Sequence, residues 1–499
     1  MNLAGSRRFS PSAPPSCGSE TTRRDMAPRA ATISNSCPGV RKTTALRAAF
    51  CVALLALTCV QPADAQQGLP FGTRKLAFSA NQFGLDLYRA LRDAGAESRQ
   101  PQAEGNVALC PFCVSSSLGM LLLGARGSSA MALRHVLYLW GMQHVHVAVR
   151  DLSAHLAHNL RDANLLIFRS LYVQRDFGVK YPFQRSLYHF YNASVHSLDF
   201  AANAEEARQH INAVVEKASH AQLANLLPDT PPPWTQLLLL SGLHLDSHIE
   251  LDLVPAEGVR WKAQPLVDPA PPTILQLGRR ADPASLEDTT AAAAEVIESL
   301  GGNPAMLEAR WTRVRYARHD YLNCTAVEVP LAGGGLVSLL TLTPNQHDDM
   351  GLLETRLSAQ RISDILGDMH VRRANVKLPR IKIEHSHENL TQSLARMGLA
   401  SLFGPGRAQL FDMSDVPWLH VTNVVHKTSL DIKGPRATVA GGGGQVAPPP
   451  LKPGNRRREP AFVGPSEETI DIVLDRPFLY FVVDNVSGLV IAMGKVLNP

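Results

Sequence analysis

At 499 residues the chain is long enough for two or three average domains, and 45% apolar against 19% charged residues describes a globular protein with ample core material. The formal net charge of +5 is small for this size; it leaves room for a basic patch but marks no nucleic-acid binder.

Residues 48–60 (AAFCVALLALTCV) form an apolar run too short to span a bilayer comfortably. The run follows Arg41, Lys42 and Arg47 and precedes Ala63-Asp64-Ala65, a small-x-small cleavage pattern. Residues 1–65 therefore read as an N-terminal extension plus a secretory signal cleaved after Ala65. A start at Met26 would shorten its unusually long charged region, so residues 1–25 read as a gene-model or isoform extension. No later stretch is long and apolar enough to span a membrane, so the mature chain is expected to be soluble, exported and extracellular.

Apolar residues recur at helical spacing over 78–92, and residues 114–123 read as a buried helix closed by Gly124-Ala-Arg-Gly127. Residues 165–174 alternate as a strand. Residues 204–217 form an amphipathic helix with acids in its first turn and Lys217 in its last. Leu237-Leu-Leu-Leu240 suits a central strand. Residues 327–343 read as a hairpin around Gly333-Gly-Gly335, and 376–384 alternate cleanly as one strand. The last two strands, 478–483 and 489–493, flank Asn485-Val-Ser-Gly488 as a second hairpin. Two segments break the pattern: 265–305, rich in Ala, Pro and Asp with one short helical piece at 286–300, and 434–466, which has almost nothing to bury. Mixed strands and helices without regular βαβ alternation point to an α+β fold.

Several chemistries are excluded. There is no Gly-x-Ser-x-Gly elbow, His387-Glu388 lacks the second histidine of a zincin, and residues 488–495 fit a phosphate loop poorly. Nothing here builds an enzyme site, a cofactor site or a metal site. Of seven cysteines only Cys110, Cys113 and Cys324 follow the leader. Cys110-Pro111-Phe-Cys113 has redox or zinc spacing but no second ligand pair, and reads as two small thiols at a helix start. His144, His146, His155 and His158 could share a helix face, read first as solvated and alternatively as a metal or glycosaminoglycan contact. Asn192, Asn323, Asn389 and Asn485 stand in glycosylation sequons.

Taken in order, the pieces resemble the serpin superfamily. Residues 106–127 resemble its N-terminal signature, and Leu171-Tyr-Val-Gln174, Leu226-Leu-Pro228, Val327-Glu-Val-Pro330 and Val424-Val-His-Lys427 follow in family order. Asp475-Arg-Pro-Phe478 through Met493-Gly-Lys-Val496 resembles the C-terminal signature, and within the family the plasminogen-activator-inhibitor and nexin clade is the most similar. The resemblance covers residues 70–499 as one domain, with an insertion at 265–305. It implies three β-sheets, eight or nine helices and an exposed reactive-centre loop at 434–466. It also implies a monomeric suicide substrate for a trypsin-like serine protease: the cleaved loop inserts into the large sheet and drags the protease along.

On that pattern the hinge is Gly434-Pro435-Arg436-Ala437-Thr438-Val439-Ala440. Residues entering the sheet interior must be small, and Ala437, Val439, Gly441 and Gly443 are small or compact. Pro448 to Pro450 cannot donate ladder bonds, so insertion is expected to about Ala447. The best bait is Arg456-Arg457-Arg458 before Glu459. The loop is overlong, and slack favours simple cleavage over trapping. In the region that opens the sheet, Cys110 and Cys113 around Pro111 replace serines, Ser241 replaces an asparagine that normally pairs with the histidine matched by His426, and Ile249 replaces a tryptophan. His426 itself reads as a hydrogen-bonded core histidine. Two functions follow, a secreted inhibitor with a basic bait or a non-inhibitory binding, carrier or substrate protein.

Overall fold

A computed structural model describes residues 69–98, 105–256, 259, 261–262, 306–346, 350–434 and 469–499. The expected leader, the 265–305 segment and the reactive loop beyond Gly434 lie outside these residues.

The chain begins with α1 (Phe71–Ser98), then β1 (Val107–Leu109) and α2 (Pro111–Gly124). Pro111 starts α2 where a missing N–H costs nothing, and almost every α2 residue is buried. A helix apolar on all sides belongs inside a protein, and α2 forms the spine of the main core. Burying each of Phe112, Val114, Leu118 and Leu121 contributes about 1.5–3 kcal/mol. Next come α3 (Gly127–Val136), α4 (Val145–Asn159), β2 (Leu165–Gln174), α5 (Tyr181–Tyr191), β3 (Val195–Leu198) and α6 (Phe200–Ala218). α6 starts earlier than expected because Asp199 caps it, accepting from Ala202 N at 3.1 Å. Its acids therefore lie beyond the first turn, where Glu205 pairs with Arg208 at 2.7 Å.

β4 (Leu237–His248), β5 (Leu253–Pro255), β6 (Met306–His319), β7 (Cys324–Pro330) and β8 (Val337–Pro344) follow. After α7 (Met350–Arg356) and α8 (Ala359–Asp368) the chain enters β9 (His370–Pro379) and β10 (Ile381–His387). The single strand expected over 376–384 is two strands. It breaks at Pro379 and Arg380: β9 pairs with β6 in one sheet, and β10 pairs with β11 in the other. The proline has no N–H to extend the first ladder. Short α9 (Thr391–Leu394), β11 (Val421–Lys433), β12 (Ile470–Val473) and the hairpin β13 (Phe478–Asp484)–β14 (Leu489–Val496) complete the chain. Nine α-helices are present among the described residues.

One sheet has the order β10-β11-β4-β2-β3. The other, with nine strands, runs β1-β14-β13-β8-β7-β6-β9-β12, with β5 on β6. Two of the three sheets implied by the resemblance are joined here, because β6 pairs first with β5 and then with β7 without leaving β9. β1 crosses β14 so closely that a Cβ on Gly494 would lie 1.8 Å from Val107 O, so only glycine fits. The five-stranded sheet separates two cores. Its inner face meets α2, while a smaller cluster of Tyr172, Ile211, Val215, Leu238, Leu240 and Val425 packs α6 against its outer face.

Candidate functional site

β4 and β11 form a parallel ladder of twelve partners, from Val421 opposite Leu237 to Lys433 opposite His248. Each is antiparallel to its other neighbour, β2 and β10 respectively. The seam between β4 and β11 is where a chain emerging from the end of β11 could fold back as a new strand, antiparallel to both. Insertion would exchange one parallel ladder for two antiparallel ladders, the slightly more stable kind per residue.

Register places four side chains in a row at mid-seam. Arg169 of β2 stands opposite Ser241 of β4, Ser241 opposite His426 of β11, and His426 opposite His387 of β10. His426 is fully buried. The Cys110 backbone N–H donates to its Nε2 at 3.0 Å, and Thr428 Oγ1 lies 3.0 Å from the same nitrogen. An Nε2 that accepts from a backbone amide leaves the proton on Nδ1, which donates to Ser241 Oγ at 3.0 Å. Ser241 in turn reaches Val425 O at 3.4 Å. Ser241 thus holds the histidine itself, where the resemblance implied an asparagine.

Burial, reinforced by His385, pushes the His426 pKa down to about 3, against a hydrogen bond at Ser241. His387 is pushed well down by burial and by His385 and His426; its ring stacks 6.3 Å from that of His426, and its Nε2 is buried without a hydrogen-bond partner. Across the seam itself, Ser241 and His426 meet as neutral groups, with neutral His387 beside them.

The cysteines beneath it are not the free thiols expected from sequence. Cys110 and Cys113 are fully buried and bonded to each other, with Cα atoms 5.2 Å apart. Cys110 is the N-cap of α2 and Cys113 lies in its first turn, a spacing that a disulfide spans readily. Cys324 is the free, buried cysteine among the described residues, and burial raises its pKa to about 12.

The mouth of the seam is different. Lys433 Nζ reaches Asp246 of β4 at 2.8 Å and Asp431 at 3.4 Å, and Arg380 pairs with Asp431 at 2.9 Å. Ile249 is buried there; its N–H donates to Lys433 O at 3.0 Å, and it bridges Leu331. Gly434, the first hinge residue, leaves beside this clasp. Pro435 to Ala440 and the bait residues Arg456 to Glu459 lie outside the described residues.

The other sequence candidates do not converge on the seam. His146 of α4 turns inward to Tyr191 Oη at 2.7 Å and His155 to Asp484 at 2.9 Å, while His144 and His158 are exposed. The four histidines form no common solvated face. Among the sequons, Asn192, Asn389 and Asn485 are exposed, Asn485 donating to Gly335 O, whereas Asn323 is half-buried and accepts from Asn345. Among the described residues no cluster of three His, Cys, Asp or Glu side chains is placed to hold a metal, and no helix is long and apolar enough to cross a membrane. The Lys433–Asp246 clasp and Arg169 were missed. The signal for Arg169 was available: it is the one charge in the run Leu165-Leu-Ile-Phe-Arg-Ser-Leu-Tyr-Val.

A family model described as serpin (serine protease inhibitor) matches residues 78–253 and 303–499. Leukocyte elastase inhibitor of Equus caballus is 24% identical over 434 residues, covering 85% of this chain and 100% of that protein. The Homo sapiens protein of the same name is 26% identical over 85% and 100%, and Ipis-1 of Ixodes persulcatus 24% over 83% and 96%. Among solved structures, a tumour suppressing serpin aligns with TM-score 0.65 at 18% identity over 85% of this chain and 100% of that one. Uncleaved ovalbumin aligns with TM-score 0.65 at 19% over 85% and 100%. At these identities the structural likeness is one of fold.

Proposed function

Because the chain belongs to the serpin family, a family of protease inhibitors rather than catalysts, we propose that it is a secreted serine-protease inhibitor that traps its target by inserting its cleaved loop between β4 and β11. The observation that carries this reading is the intact parallel ladder of β4 and β11 at the end of which the loop begins. Small residues at Ala437, Val439, Gly441 and Gly443 suit entry into that ladder, and Arg456, Arg457 and Arg458 offer a trypsin-like protease its basic side chain. Export rests on the leader pattern at 48–65, and release of a chain beginning at Gln66 would verify it.

Incubating the mature chain with trypsin, thrombin, urokinase and furin, followed by denaturing gels, tests the trap. A denaturant-resistant band at the summed mass is expected, with cleavage after one of the three arginines. Cleavage without that band would replace this reading with the second one, a non-inhibitory binding protein or substrate. The Cys110–Cys113 bond directly under the seam favours that second reading, since it fixes the turn that His426 leans on.

A further inference from the structure

The turn Cys110-Pro111-Phe112-Cys113 touches both sides of the seam. Cys110 follows β1, caps α2 and donates its backbone N–H to His426 of β11 at 3.0 Å. Phe112, between the cysteines, has its ring centre 5.6 Å from the guanidinium carbon of Arg169 on β2. β2 is laddered to β4, and β11 to β10. When β4 and β11 part, β2 stays with one and β10 with the other, so this turn must release one side or deform. A bond between Cys110 and Cys113 stiffens the turn against deformation, and two thiols do not.

The position of the sulfurs also suits exchange. Cys110 Sγ accepts from the Cys113 backbone N–H at 3.1 Å at the start of α2. A sulfur held by a backbone amide at a helix N-terminus is favoured as the thiolate, and such a sulfur leaves readily when its disulfide is attacked. Both cysteines are fully buried under the seam, so a reagent meets them when the ladders above separate.

We propose that Cys110–Cys113 is a site of reversible reduction by a small dithiol, and that reduction loosens the seam. The inference rests on the reading of this seam as the line along which the sheet opens. The thiolate of the dithiol attacks Cys113 Sγ; the sulfur–sulfur bond breaks and its electron pair leaves on Cys110, which takes up a proton. The second sulfur of the dithiol then displaces Cys113, which takes up the other proton. The dithiol is thereby oxidised by two electrons to a cyclic disulfide, and both cysteines are reduced.

The test treats the folded mature chain with dithiothreitol, then denatures, alkylates and weighs it. Beyond the leader the chain has three cysteines, so a bonded molecule carries one label, on Cys324, and a reduced molecule three. Three labels are expected on chains that remain folded. Hydrogen exchange of the β4 and β11 amides should be at least about tenfold faster after reduction, with β7 and β8 unchanged. The double variant Cys110→Ser, Cys113→Ser should exchange like the reduced chain and ignore dithiothreitol; if it does not fold, the comparison of the two wild-type states carries the test. Three labels before any dithiothreitol, labels gained only on unfolded chains, or equal exchange at the seam in both states overturns the proposal. No protease takes part, so failure of the trap assay and failure of this one are separate results.

Discussion

The seam between β4 and β11 is fastened in opposite ways at its middle and at its mouth. At the middle, neutral groups are sealed from water: His426 is held by Cys110 N–H, Thr428 and Ser241. At the mouth, half-exposed charges do the fastening, Lys433 against Asp246 and Asp431. A buried polar group stripped of its partner suffers the full cost of desolvation, whereas a solvated ion pair is largely replaced by water. If the cleaved loop inserts as proposed, the middle would decide whether the sheet opens and the mouth would tune how readily the loop enters.

The largest effect expected is that of His426→Ala. It leaves the Cys110 N–H buried without a partner, strips Ser241 Oγ and Thr428 Oγ1 of one contact each and opens a cavity, so urea unfolding should show a loss of about 3–4 kcal/mol. A loss under about 1 kcal/mol would remove the middle from its deciding role.

Acid should act on the same place. The His426 pKa is lowered from 6.5 to about 3, and that of His387 is lowered as well. Below pH 6.5 the unfolded chain binds protons that the folded chain refuses, so their contribution is complete above that pH and drains away as pH falls towards about 3. His426 removes up to about 1.4 kcal/mol per pH unit over that window, and His387 acts in the same direction. Thermal unfolding followed from neutral pH downwards should show this decline, and Ser241→Ala should make it start from a lower plateau. A flat profile in wild type would show that these histidines are not buried neutral.

Replacing both Cys110 and Cys113 by serine should cost about 2 kcal/mol, because the bond closes only a short loop in the unfolded chain. Should the variant trap protease better than wild type, the bond restrains the sheet as well as stabilising the fold. The smallest change belongs to Lys433→Ala, at most about 0.5 kcal/mol in unfolding, with a faster rate of loop entry as its signature. An effect as large as that of His426→Ala would erase the distinction between middle and mouth.

Local pattern carried most of the fold into the sequence. The strand expected over 165–174 is β2, half-buried over its first five residues and buried over its last five rather than alternating, and the apolar run at 237–240 sits in a central strand, because hydrophobicity records burial directly. The site was only partly legible. Cys110, Ser241, Ile249 and His426 could be picked out by resemblance, and the structure brings Cys110, Ser241 and His426 together and sets Ile249 at the mouth. That Cys110 bonds Cys113 is a local matter, a spacing visible in the sequence but read there as two thiols, whereas that Lys433 grips Asp246 across a ladder and that Arg169 stands level with His426 depend on strand register. Register joins residues far apart in the chain and leaves no periodic trace. Pro379 was visible, but one alternating run cannot reveal that its two halves belong to different sheets.

The interlock of β1 with the C-terminal hairpin has a consequence for how the molecule is made. β14 separates β1 from β13, and Asn106 accepts from the backbone N–H groups of Leu497 and Asn498, so β1 waits for residues 391 and 392 positions further along the chain. The nine-stranded sheet cannot close until β14 has been synthesised. A chain stalled before Phe478 should then remain protease-sensitive, leaving a nascent molecule exposed to chaperones and to its neighbours until β14 is made.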